Sequence, residues 1–164
     1  MSETQDPKVM IFEKGRLTEL VVDEPASTFG GLTPPVTLPV APSFVDLATL
    51  SIFVNDTTDK VWLNATVGWL ASFTVIGEVT ATFQILKGGV VVYETTQTVS
   101  STLTIAVPPF AAYNIVHLEH IDTTPVPLPS KVTYSLRAQA NIAGASTSGP
   151  VTLTAAKIKR NAIA

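Results

Sequence analysis

Few residues in this chain are of types that could carry chemistry. His117 and His120 lie three positions apart in the run NIVHLEHID. In a strand, positions three apart point to opposite faces, which makes the two histidines poor co-ligands for one metal. His117 and Glu119 do share a face, and a single surface metal site is the most that run offers. Two strand histidines at a sheet surface or a subunit interface is the simpler reading. Nucleophilic catalysis needs a Ser or Thr beside a base and an orienting third group, and no G-x-S-x-G stands in the sequence. Asp46, Asp56, Asp59 and Asp122 have no spacing that selects them as paired carboxylates. Gly30-Gly31 and Gly88-Gly89 do not match phosphate-loop patterns. There is no cysteine, which removes disulfides, thiolate metal sites and cysteine nucleophiles. We therefore expect no enzyme: no catalytic residue, no cofactor and no metal.

The rest of the composition describes a β protein. Hydrophobic residues make up 46% and charged residues 14% of 164 residues, with a net charge of -3. That is apolar material for a sizeable core under a sparsely charged surface. Nothing in the charge points to nucleic acid, and the basic tail AAKIKRNAIA is too thin to mark a nucleic-acid or membrane patch. Val and Thr abound, and β-branched side chains fit pleated surfaces. The N-terminus MSETQDPKVMIFEKGRL lacks the basic stretch and apolar core of a secretory signal, so synthesis and retention in the cytoplasm, or release by lysis, is expected. Asn55-Asp56-Thr57 and Asn64-Ala65-Thr66 match the glycosylation sequon without such a signal beside them.

Period-2 alternation predicts the elements. In Val61–Val75 the odd positions are apolar and most even ones polar or small. Val79, Ala81, Phe83 and Ile85 continue the pattern. Lys87-Gly88-Gly89-Val90 reads as a tight hairpin turn, with Val90–Thr98 as the partner strand. Further strands are expected at Phe44–Val54, Thr102–Val107, Asn114–Ile121, Lys131–Ala140 and Val151–Ile158. Pro108-Pro109, Pro125/Pro127/Pro129 and Ser148-Gly149-Pro150 read as loop punctuation. About eight antiparallel strands over residues 44–164 is the jelly-roll number. An immunoglobulin-like sandwich is the nearest rival, weakened by the missing cysteines and by two tryptophans on one strand.

Residues 24–43 carry Pro25, Pro34, Pro35, Pro39 and Pro42 and read as a semi-extended linker able to reach roughly 60 Å. Upstream, Lys8–Asp23 holds two apolar β-prone runs that need a groove or a sheet edge. Residues 1–23 are therefore expected to act as a connector whose strand enters a neighbouring subunit, as in donor-strand complementation. Val9, Ile11, Leu17, Leu20 and Val22 are its expected anchors. Folding back onto the chain's own domain as an additional strand, or remaining a tail, are the alternatives.

Tyr134-Ser-Leu-Arg-Ala-Gln-Ala-Asn141, Gly149-Pro-Val-Thr-Leu-Thr-Ala-Ala156, Trp62–Phe73 and Ala81–Tyr93 together resemble the jelly-roll proteins of Bacillales spore surfaces: C1q/TNF-like exosporium proteins and endospore appendage fibre subunits. The resemblance covers residues 44–158. It implies an assembled, non-enzymatic component of the spore surface, made in the mother cell, whose partners are copies of itself and other spore-surface proteins. An N-terminal connector docking into the adjacent subunit is typical of the appendage subunits, and Lys8–Asp23 matches it by position. The sequence departs from disulfide-linked appendage subunits in having no cysteine, and lacks Gly-X-Y repeats. A trimeric C1q/TNF-like head recognising carbohydrate or a receptor, and a phage or virion jelly roll, are the alternative functions.

Overall fold

The computed structural model describes residues 15–26, 35–123 and 129–160. They form six strands: β1 (Gly15–Ala26), β2 (Val45–Val54), β3 (Lys60–Lys87), β4 (Val90–Asp122), β5 (Ser130–Ala140) and β6 (Ala145–Arg160). All pairings between them are antiparallel, and they are nested: β1 with β6, β2 with β5, β3 with β4. This ribbon is rolled up, so that the first part of β3 also pairs β6 and its last part pairs β5. The result is an all-β sandwich of jelly-roll type. One layer runs β1, β6, first part of β3, second part of β4. The other runs β2, β5, last part of β3, first part of β4.

The sequence pattern explains the roll. Val61, Leu63, Ala65, Val67, Trp69, Ala71 and Phe73 are buried along the first part of β3, and Val79, Ala81, Phe83 and Ile85 along the last. Between them Val75 and Ile76 are exposed and the ladder to β4 shifts register. Bulges of this kind bend a strand. The rings of Trp69 and Phe83 lie 6.1 Å apart. On a straight strand they would be separated by roughly 46 Å, so the strand has folded over and both halves feed one core. Val132, Tyr134, Leu136, Ala138 and Ala140 of β5 and Val151, Leu153 and Ala155 of β6 complete it. Trp69 donates its indole N–H to Gln97 Oε1 at 2.6 Å, which satisfies a polar group inside the core. The turn at Gly88-Gly89 has φ of 53° and 86°, the primed geometry that a two-residue hairpin demands.

Several expectations change. Among the described residues of 44–164, five strands replace the expected eight, because Val61–Val75 and Val79–Ile85 are one bent strand, and Val90–Thr98, Thr102–Val107 and Asn114–Ile121 are another; β1 is the sixth. Pro108-Pro109 does not end β4; an edge strand tolerates proline because its N–H side needs no partner. Ser148-Gly149-Pro150 lies inside β6 as a bulge, where the ladder to β3 shifts between Val67 and Trp69. Residues read as linker are structured where described. Glu24–Ala26 close β1, and Leu38 is buried in the core while its N–H bonds the Ala145 carbonyl at 2.9 Å. Residues 35–43 dock because their backbone finds partners: Thr147 N–H donates to Val36 O and Ala140 N–H to Pro39 O.

Candidate assembly surface

β1 is an edge strand of its own chain's sandwich. Its ladder runs from Gly15 opposite Arg160 to Ala26 opposite Val151. Of the expected anchors, Val9 and Ile11 lie outside the described residues. Leu17, Leu20 and Val22 are on β1, beside Ile158, Ala156 and Thr154. They do not enter a groove: they are 57%, 58% and 46% exposed on the outer face of the layer. The inward positions are Glu19, Val21, Asp23 and Ala26. Val21 packs against the core and Ala26 is buried.

Three polar contacts tie β1 to the sandwich. Lys157 on β6 is buried and reaches Glu19 Oε2 at 2.9 Å and the Phe53 carbonyl at 2.6 Å. It thereby links β1, β6 and β2. The Thr49 N–H of β2 donates to Asp23 Oδ2 at 2.7 Å, and Thr18 Oγ1 donates to the Lys157 carbonyl at 3.3 Å. Neither Glu19 nor Asp23 stood out in the sequence. Their partners are more than a hundred and some twenty-six positions away, respectively.

The two outer faces differ in chemistry. On the layer holding β2 and β5, hydroxyls pair with each other beside one exposed ring, Phe53: Thr49 with Ser135, Ser51 with Thr133, Thr80 with Thr98. On the layer holding β1, large apolar side chains stand in the open. Tyr113 and Ile115 of β4 are exposed along with Leu17, Leu20 and Val22, and half-buried Leu70 pairs Tyr113. Between these apolar groups runs a polar strip. Trp62 donates its indole N–H to Glu119 Oε1 at 3.0 Å, and Thr66 Oγ1 meets His117 Nδ1 at 3.0 Å. His117 and Glu119 thus share the outer face, as their spacing implies, but each has a β3 partner rather than a common ligand. His120 turns the other way, its ring 5.7 Å from that of Tyr93. Among the described residues no group of three or more His, Cys, Asp or Glu is placed to hold a metal.

No protein-family model matches the chain. No curated protein matches it either. Among solved structures, dimeric latent PorU from Porphyromonas gingivalis is similar over 92% of this chain and 13% of its own, with 12% identity and a TM-score of 0.49. A structure of infectious bursal disease virus, Gx strain, is similar over 88% of this chain and 37% of its own, with 13% identity and a TM-score of 0.42. A family 35 carbohydrate binding module from Clostridium thermocellum is similar over 88% of this chain and 100% of its own, with 12% identity and a TM-score of 0.25. The chain therefore spans a small part of the first of these proteins and little more than a third of the second.

Proposed function

We propose that this chain is a non-enzymatic structural subunit that assembles with copies of itself into a fibre or appendage, on the bacterial spore surface that the resemblance implies. Assembly proceeds by exchange of β1: the strand leaves the β6 edge of its own chain and occupies the β6 edge of a neighbour. One observation carries this reading. β1 is an edge strand that directs three large aliphatic side chains to solvent and only Val21 and Ala26 to the core. Exposed apolar edge strands are ordinarily blunted or covered. The contacts that hold β1, to β6, Lys157 and Thr49, are reproduced in full on the neighbour, so exchange costs little beyond association itself. Repeated head to tail, it gives a chain of subunits, while the exposed aliphatics supply apolar area at each junction.

The experiment uses the absence of native cysteine. Leu20 and Ala156 are cross-strand partners, close enough for a disulfide between their positions. The double variant Leu20→Cys, Ala156→Cys is oxidised at assembling concentration and run on a non-reducing gel. A ladder of covalent multimers is expected. Exclusively monomeric cross-linked species, in a sample that electron microscopy shows to be filamentous, would overturn strand exchange. A sample that never grows beyond a fixed small oligomer would overturn the fibre.

A further inference from the structure

The two layers meet at a second, more deeply buried ion pair. Lys87 is the last residue of β3, in the part paired with β5. Asp122 is the last residue of β4, in the part paired with the beginning of β3. Lys87 Nζ lies 2.7 Å from Asp122 Oδ2, with side chains only 14% and 2% exposed. Tyr134, fully buried and the cross-strand partner of Lys87, donates its O–H to the same Oδ2 at 2.6 Å. Burial, followed by the bond to Asp122, pushes the Tyr134 phenol far above its ordinary range, so it remains a donor.

An ammonium and a carboxylate withdrawn from water lose hydration that their attraction repays only in part. Transfer of one proton from Nζ to Oδ2, across the 2.7 Å contact, abolishes both charges. It leaves a neutral amine against a neutral carboxyl group, held together by the fold, and such fixed proximity is what lets bound groups react. Tyr134 donates to Oδ2, the oxygen that takes this proton, and so sits where it assists the departure of that oxygen as water.

We infer that Lys87 and Asp122 condense to an intramolecular amide that joins the two layers of the sandwich. The Nζ–Cγ bond forms and one Cγ–O bond breaks. The ammonium gives one proton to the carboxylate and a second to the departing hydroxyl, and one water leaves. No oxidant or further reactant is required. The Lys157–Glu19 pair does not follow the same course. Glu19 is 32% exposed, so water reaches its carboxylate. The inference is independent of strand exchange, since neither Lys87 nor Asp122 belongs to β1 or β6.

The test is the intact mass of the purified full-length 17.4 kDa chain, unfolded before measurement. A mass lower than that of the sequence by one water is expected. A tryptic digest should contain a branched peptide joining the Lys87 segment to the Asp122 segment, with no cleavage after Lys87. Lys87→Arg keeps the ion pair and the fold, checked by circular dichroism, and should return the full sequence mass. An unshifted mass in the folded wild-type protein overturns the inference. So does a water loss that persists in Lys87→Arg or maps to other residues.

Discussion

At the scale of single residues, the sandwich turns on positions where backbone or charge is pressed close. Gly68 is one of them. A Cβ there would lie 2.7 Å from the Ser148 carbonyl oxygen and 2.8 Å from Gly149 Cα. Both are backbone atoms of the β6 bulge and cannot swing aside. Gly68→Ala is expected to destabilise the fold by about 1–3 kcal/mol through overpacking, read as a lower urea midpoint with an unchanged slope. Asp56 shows the opposite kind of control, at the surface. Its Oδ1 accepts the Thr58 N–H at 2.9 Å and the Thr58 hydroxyl at 2.8 Å. These bonds, the backbone one first, hold its carboxyl below the usual value of 3.8. A carboxyl depressed in the folded state contributes stability above its unfolded value and loses it as pH falls through the folded one. The turn should therefore hold its geometry at neutral pH and loosen only under strong acid. A titration of the Thr58 amide by NMR checks this, and a midpoint above 3.8 would contradict it. None of these contacts was legible in the sequence. Gly68 looked like one small residue among alternating ones, and Lys87 and Asp122 like two ordinary charges, because each meets its partner only after the ribbon has rolled.

At the scale of elements, alternation was legible and the ends of strands were not. The inward faces of β3, β5 and β6 follow from period 2 alone, as does the Gly88-Gly89 turn. The separations between strands did not follow, because a bend and a loop have the same local composition. Val75–Glu78 and Pro108-Pro109 interrupt the pattern without interrupting the strand. The greatest revision concerns β1. The body had looked complete without it, yet β1 is what covers β6 on that side. Removal of residues 1–26 is expected to leave the β6 edge unpaired and the remainder prone to concentration-dependent aggregation. A synthetic peptide of residues 15–26 should bind and suppress it, as light scattering would show. In the intact chain, β1 amides are expected to exchange with solvent faster than those of β3, since an edge strand with few buried side chains opens at lower free energy than a central one. Equal protection across the two strands would argue that β1 is locked in place.

At the scale of the whole molecule, the sandwich is chemically two-sided. One outer face pairs its hydroxyls internally beside an exposed Phe53, and the other offers Leu17, Leu20, Val22, Tyr113 and Ile115 to its surroundings. Charging the second face should separate assembly from folding. Leu20→Lys changes a side chain that is more than half exposed. It is expected to shift stability by no more than about 0.5 kcal/mol while lowering self-association, measured by sedimentation over a concentration series. The nested ribbon also settles how load passes through the molecule. Gly15 and Arg160 sit opposite one another at one end of the β1–β6 ladder, and Ala26 sits at the other. Tension applied through Gly15 and Arg160 opens the ladder one rung at a time, like a zipper. Tension applied through Ala26 and Arg160 runs along the strands and must shear every rung at once. The same hydrogen bonds are thus weak to a pull from one terminus and strong to a pull from the other, so the side from which β1 is tethered sets the force the junction can bear.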